Sequence, residues 1–237
     1  MDKSDAKLQL SAEEMRLVTD PGWILTKNSI IGKVVGMFAG LSEEWRRIWE
    51  GGLRLEGRLA ALAKWDPGAE EEAPGGGPAR ESRAQGRLSL IQRSEPKISR
   101  GEKYKGLPWV MLDYPRVFGR EDVFAIRTMF WWGHAFSVTL HLKGEWKRLF
   151  LPVIIAQKDA LAAAGFQWGV MEDEWEHGHA AESYRPMGEL EVGPDADDRP
   201  FLKLSGTVAL ESWVEAPEML TALFVSLPAI LSGEGNS

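Results

Sequence analysis

The sequence contains no cysteine, which excludes disulfide bonds, thiolate metal ligands and a cysteine nucleophile. It also lacks an uncharged apolar run of the ~18–20 residues needed to cross a bilayer, and its apolar stretch 219–231 is interrupted by Pro228. The first ten residues, MDKSDAKLQL, contain no apolar segment typical of a secretory signal. Together these absences predict a cytoplasmic protein without membrane contact.

The composition is that of a globular protein. Of the 237 residues, 44% are hydrophobic and 27% are charged, which excludes a wholly disordered chain. The length suits one large domain or two small ones. The 11 tryptophans are unusually many, and we expect most of them to anchor the core.

The net charge of -7 is unevenly distributed. Residues 171–237 carry 3 basic and 14 acidic side chains, whereas residues 88–170 carry 12 basic and 7 acidic ones. This division is typical either of a basic binding face with an acidic tail or of two oppositely charged regions that pack together. Because both regions contain core-forming apolar segments, we expect them to lie against each other.

The patterns predict an α+β protein with three regions. Residues 1–65 form an N-terminal helical region, and residues 66–87 form a flexible linker rich in glycine, proline and glutamate. Residues 88–237 form a domain in which helices, including a C-terminal helix, pack on a mostly antiparallel sheet with meander topology. We expect the N-terminal helices and the C-terminal helix to cover opposite faces of this sheet.

Three helices are predicted in the N-terminal region. Ser11 and Glu14 have the spacing of a capping box, and Asn28 and Ser42 are candidate caps for a second and a third helix. The tryptophans on the third helical segment are candidates for contact with a protein partner or a second copy of the chain.

Alternating hydrophobicity predicts six strands in the remaining sequence. They span residues 88–92, 109–113, 123–132, 135–142, 146–155 and 202–210. Gly133 and His134 suit a two-residue hairpin turn, which pairs Trp132 with Ala135 and places Arg127 on the face of Val138. A loop of different length shifts this register by one residue and moves Arg127 to the other face.

Five residues in and beside the predicted hairpin are the candidate ligand-binding residues: Asp113, Tyr114, Arg116, Arg127 and His141. An arginine buried on a sheet stays charged, so Arg127 requires a carboxylate, carbonyl groups or a bound anion. A salt bridge to Asp113 or to an acid of the C-terminal third is the structural interpretation. A small anionic ligand is the functional one.

Two further segments carry weaker functional patterns. His177 and His179 have the spacing of two metal ligands on an extended segment, but no third histidine is near, and no metal or other cofactor is predicted. The basic stretch within residues 93–127 carries aromatic residues, a weak pattern of nucleic-acid binding. The acidic net charge and the absence of a nucleic-acid-binding motif favour a connecting segment instead.

No catalytic arrangement stands out from these residues, so the sequence leaves open whether the protein is an enzyme. The leading hypothesis is a non-catalytic binding or assembly module with a protein partner or a homo-oligomeric state. The first alternative is an enzyme or small-molecule binder that holds an anionic ligand near Arg116, Arg127 and His141. The second is a nucleic-acid binder that uses the basic stretch.

Overall fold

A computed structural model describes residues 9–50, 86–87, 89–178, 182–190 and 198–232. Within them the helices and strands follow in this order: α1 (Ala12–Thr19), α2 (Gly22–Glu50), β1 (Lys97–Tyr104), β2 (Leu107–Phe118), β3 (Val123–Trp131), β4 (Ala135–Lys143), α3 (Glu145–Ala156), α4 (Lys158–Ala163), β5 (Gln167–Gly169), β6 (Tyr184–Pro186), β7 (Phe201–Ala209) and α5 (Ala216–Ser232). Nearly all of the predicted linker, residues 66–87, lies outside the described residues.

The described strands form one seven-stranded antiparallel sheet in the order β1-β2-β3-β4-β7-β5-β6. The first four strands are a meander, as the sequence predicts. The chain then leaves the sheet through α3 and α4, adds the short strands β5 and β6, and returns as β7 between β4 and β5. The α+β class with helices packed on an antiparallel sheet is therefore confirmed.

One face of the sheet is packed against the helices, and we call it the helix face. Its strand residues are almost all large and apolar, among them Leu112, Phe130 and Leu140, each at most 2% exposed. They form one buried cluster with apolar residues of α2, α3 and α5. Burial at roughly 25 cal/mol per Å² of apolar surface makes this cluster the main source of stability.

The N-terminal helices differ from the prediction in number. α1 begins at the predicted capping box, where the Glu14 N–H donates to Ser11 Oγ at 3.2 Å. As far as residue 50, the predicted second and third helices are one continuous helix, α2, in which Asn28 and Ser42 are interior residues. The rest of the predicted N-terminal helical region, residues 51–65, lies outside the described residues. Ser42 Oγ donates to the carbonyl of Ala39 at 2.8 Å, so its hydroxyl bonds within the helix instead of capping one.

The expectation that helices cover both faces of the sheet is wrong, because α2 and α5 pack side by side on the helix face. The indole of Trp45 in α2 stacks on Phe224 of α5 with ring centroids 4.1 Å apart. Its Nε1–H donates to Thr221 Oγ1 at 3.0 Å. Trp45 is fully buried, so it belongs to the core; Trp65, another tryptophan of the predicted third helix, lies outside the described residues.

The β3–β4 hairpin has a three-residue loop in place of the predicted two-residue turn. Trp131 pairs with Ala135, and Gly133 in the loop has the positive φ of 72° that favours glycine. Trp132 stays outside the β3–β4 ladder because its N–H donates to the carbonyl of Pro108 at 3.0 Å. The register therefore shifts by one residue, and Arg127 pairs with Thr139.

Three other local predictions differ from the structure. Residues 146–155, predicted as a strand, belong to helix α3, and residues 89–92 are helical rather than extended. Short apolar runs do not distinguish a buried strand from a buried helix by periodicity alone. The basic segment predicted as a connection contains the edge strand β1, Lys97–Tyr104. Charged residues on both faces of this exposed strand obscure the alternation of apolar and polar residues that would identify it.

Among the described residues, one helical stretch, Gly22–Ile48 of α2, is long and apolar enough to cross a membrane by length and composition. Core helices and signal sequences meet the same criterion. The apolar stripe of this helix, which includes Val34 and Phe38, packs on the sheet. Neither a membrane nor a cytoplasmic location follows from this helix, and the cytoplasmic location stays a prediction.

Candidate functional site

The face of the sheet opposite the helices, which we call the open face, carries a band of polar side chains. Arg127 of β3 pairs with Asp113 on one side and with Thr139 on the other. Two residues further along β4 from Thr139, His141 pairs with Lys203 of β7. Directly paired residues of adjacent strands share a face. The observed register thus brings these five polar residues together on one surface.

A β-bulge in β2 adds Arg116 to this surface. The pairing of β2 with β3 shifts by one residue between Asp113 and Arg116, so that Arg116 pairs with Ala125. Tyr114, within the bulge, turns to the helix face, where it is 2% exposed and its ring lies parallel to that of Phe224. Core packing therefore places Tyr114 across the sheet from the other four candidates.

Arg127 is held by a carboxylate and an imidazole. Its Nε donates to Asp113 Oδ1 at 2.6 Å and its Nη2 donates to Oδ2 at 3.2 Å, a bidentate arrangement. Its Nη1 lies 3.0 Å from both ring nitrogens of His177, and its guanidinium lies over the ring of Phe118. Three of its five N–H groups are engaged, and the other two have no partner among the described residues.

Residues 171–178, which we call the covering loop, lie on part of the open face. Tyr104 of β1 fixes the end of this loop, because its hydroxyl oxygen accepts from the N–H groups of His177 at 2.8 Å and Gly178 at 2.7 Å. The Tyr104 ring also packs edge-on against Trp131. A Cβ at position 178 would lie 2.6 Å from the Trp131 ring, so the loop approaches the sheet as closely as glycine permits.

Three lysine side chains donate hydrogen bonds to the covering loop. Lys143 Nζ donates to Glu174 Oε1 at 2.8 Å, and Lys105 Nζ donates to Glu176 Oε1 at 2.8 Å. Lys203 Nζ, on a side chain that is only 1% exposed, donates to the carbonyl of Glu176 at 2.7 Å. The acidic C-terminal third thus lies on the basic middle of the chain, in the way the charge distribution predicts.

A small chamber of about 10 Å³ is enclosed between the covering loop and the sheet. It is lined by Arg127, Met129, Thr139, His141, His177 and Lys203. It is about large enough for one water molecule. His141 Nε2 lies 3.4 Å from Glu174 Oε2, and neither atom makes a hydrogen bond within the described residues.

Burial governs the protonation of this cluster. It lowers the pKa of His141 to about 3 and that of His177 to about 2, with the charges of Lys203 and Arg127 respectively as the next cause. Burial, followed by the charge of Arg127, lowers the pKa of Lys203 to about 7. Both imidazoles are therefore neutral at pH 7, and His177 can accept a hydrogen bond from Arg127.

Beside the covering loop, the open face forms a cleft of about 870 Å³. Its apolar walls are aromatic and thioether side chains: Tyr104, Trp109, Met111, Phe118 and Trp175. Trp175 is 50% exposed and Phe118 is 39% exposed. Their ring centroids are 6.4 Å apart at the rim of the cleft. The floor includes the indole of Trp109, which lies against Gly101 of β1, where a Cβ would come within 2.7 Å of it.

The cleft is also lined by charged side chains, and cations exceed anions. The cations are Lys97, Lys103, Arg116 and Arg127, and the anions are Glu102 and Asp113. Each anion is neutralised, Glu102 by Lys27 at 2.7 Å and Asp113 by Arg127. Lys97, Lys103 and Arg116 have no carboxylate within ion-pair distance in the described part of the chain.

The structure brings four of the five predicted site residues onto the open face. Asp113, Arg116 and Arg127 line the cleft, whereas His141 lines only the chamber beneath it. Lys203 of β7 also belongs to this site, although the sequence analysis does not select it. The available signal was a single lysine within an otherwise apolar predicted strand.

The histidine pair at positions 177 and 179 is only half described. His177 contacts Arg127, and His179 lies outside the described residues. Within those residues no group of three or more histidine, aspartate or glutamate side chains is arranged to hold a metal ion.

No protein-family model matches the chain, and neither the curated proteins nor the solved structures include a match.

Proposed function

We propose that this protein is a non-catalytic binding module whose open-face cleft holds an organic anion with a flat apolar body. The observation that carries the proposal is the combination, in one concave site, of aromatic walls with cations that have no carboxylate partner among the described residues. A cleft of about 870 Å³ falls within the range of ordinary ligand pockets. Such pockets pair apolar walls with a few placed polar groups in the same way.

Arg116 is the cation best placed to contact the anion. Its Nε donates to the carbonyl of Glu95 at 3.0 Å, which fixes the side chain and leaves its terminal N–H groups without a partner among the described residues. The two unengaged N–H groups of Arg127 are the second set of donors. Together they support binding of a carboxylate, sulfonate or phosphate.

The test uses a probe that has the proposed chemistry, 8-anilinonaphthalene-1-sulfonate, followed by its fluorescence. We expect saturable binding at one site, with the uncharged N-phenyl-1-naphthylamine binding roughly tenfold more weakly. The substitution Arg116→Ala should weaken binding of the sulfonate by about tenfold or more, the scale of a lost charge-assisted hydrogen bond. It should leave binding of the uncharged analogue unchanged.

The matched control is Arg47→Ala, because Arg47 is exposed on α2, away from the open face. It should bind both probes as the wild type does, and circular dichroism should show that both variants fold. Equal affinity for the two probes, or equal behaviour of the Arg116 and Arg47 variants, would overturn the proposal.

A further inference from the structure

We infer that the ligand of the cleft is an acidic, extended segment of another protein, which adds to the sheet as a strand beside β1. This inference rests on the proposed function and names its partner class. It begins from the position of β1, Lys97–Tyr104, at one end of the sheet order. An edge strand turns the N–H and C=O groups of alternate residues away from its neighbour, and these are the groups that bind an added strand.

The edge is free within the described part of the chain. β1 pairs with β2 alone, and no hydrogen bond outside that ladder reaches the backbone of residues 97–104 among the described residues. None of the eight residues of β1 is fully buried, and four of them are exposed: Lys97, Arg100, Glu102 and Lys103.

The charge of β1 selects the partner. Lys97, Arg100 and Lys103 are exposed and have no carboxylate within ion-pair distance among the described residues, and the one carboxylate of the strand, Glu102, is already paired with Lys27. These cations lie on a protein whose net charge is -7. Edge lysines repel neutral or basic strands, and they complement aspartate and glutamate on an added strand.

The cleft adjoining β1 supplies a place for the side chains of that strand. Alternate residues of an added strand project onto the open face, where Lys97, Ser99 and Gly101 line the cleft. Because Gly101 has no side chain, the half-buried Trp109 indole lies over the middle of this row. The site therefore fits an apolar or aromatic residue opposite Gly101, on Trp109, with an acidic residue two positions to either side. One acidic residue lies opposite Ser99 and reaches Lys97 diagonally, and the other lies near Lys103.

The probe is the capped peptide Thr-Glu-Thr-Phe-Thr-Glu-Thr, in which the two glutamates and the phenylalanine share one face. We expect it to bind the full chain by calorimetry and to slow amide hydrogen exchange of residues 97–104. The same peptide with lysine in place of glutamate should not bind. A version methylated at alternate backbone nitrogens, matched to the paired register, should bind roughly tenfold or more weakly, because it keeps the side chains and loses the ladder bonds.

The protein variants reverse charge on exposed residues, so that the fold is retained. Combined Lys97→Glu and Lys103→Glu should weaken binding of the glutamate peptide by roughly tenfold or more, and should create binding of the lysine peptide. Arg185→Glu on β6, exposed and at the opposite end of the sheet from β1, should leave the affinity unchanged.

The outcomes separate the two proposals. If the naphthalene sulfonate binds but the glutamate peptide does not bind at up to about 1 mM, the strand inference is overturned and the proposed function stands. If the methylated peptide binds as well as the parent, the side chains bind without strand pairing and the inference is equally overturned. If neither probe binds, both proposals fail. Tighter binding of single-stranded thymidine oligonucleotide than of the peptide would overturn the inference in favour of a nucleic-acid partner.

Discussion

The ion pair between Arg127 and Asp113 makes a stringent test of the site geometry. The two side chains are 12% and 8% exposed, and both carboxylate oxygens of Asp113 accept from the same guanidinium. The substitution Arg127→Met removes every side-chain donor that Asp113 has among the described residues. A buried carboxylate is then left unpaired, which costs about 3–5 kcal/mol of unfolding free energy.

The reverse substitution, Asp113→Leu, leaves the guanidinium with His177 as its remaining polar partner, and we expect a loss of similar size. Replacing both residues removes both charges, and buried ion pairs exchanged for apolar residues are often neutral or better. The double variant should therefore lie within about 1 kcal/mol of the wild type. The coupling free energy of the cycle should exceed roughly 3 kcal/mol.

Urea unfolding followed by far-ultraviolet circular dichroism measures all four free energies, provided that the denaturant slopes agree. Arg148→Met is the matched control, because Arg148 is 52% exposed and paired with Glu145 one helical turn away. It should change the unfolding free energy by less than about 0.5 kcal/mol. A loss below about 1 kcal/mol for Arg127→Met, or additive losses in the double variant, would refute a buried and mutually dependent pair.

Three further substitutions test the parts around this pair. Tyr104→Phe removes the oxygen that accepts from the N–H of His177, so hydrogen exchange at residue 177 should speed up about tenfold or more; unchanged exchange would contradict this anchor. Gly101→Ala forces the Trp109 indole to move and should cost about 1–3 kcal/mol in urea unfolding; a neutral result would mean that the indole does not lie on β1. Burial lowers the pKa of Lys203 to about 7 in the folded state, so the folded protein binds fewer protons there than the unfolded chain and the free energy of unfolding should rise from about pH 7 to pH 10. The substitution Lys203→Met should remove that rise, and parallel pH profiles of the two proteins would refute the reasoning.

The strands of the central hairpin could be predicted from sequence, but its register could not. Alternating apolar residues identify β3 and β4 whichever loop joins them. The loop length depends on where the Trp132 N–H bonds, and its acceptor is the carbonyl of Pro108 on another strand. That contact is tertiary, so no local pattern contains it. The same one-residue difference decides that Arg127 pairs with Thr139 and not with Leu140.

The candidate site, like the hairpin, could be predicted from sequence only in part. Arg127 and Asp113 stood out because ionisable residues in apolar strands need partners, and the structure pairs them. The motif DYPR at residues 113–116 suits either a turn or a pocket lining, but the bulge in β2 turns Tyr114 into the core. The lysine of β7 joins the site only because that strand inserts next to β4, a crossover that sequence spacing does not indicate.

The charge distribution along the chain connects the fold to the proposed binding site. Acidic residues of the covering loop neutralise part of the basic middle region, as in the pairs Glu174–Lys143 and Glu176–Lys105. Other cations of that region remain without a carboxylate among the described residues, and four of them lie on β1 or line the cleft: Lys97, Arg100, Lys103 and Arg116. An unneutralised group of like charges costs free energy through mutual repulsion, and an anionic partner would relieve that cost. This is the physical reason to look for the partner at β1 and the cleft, where the described carboxylates leave cations unneutralised.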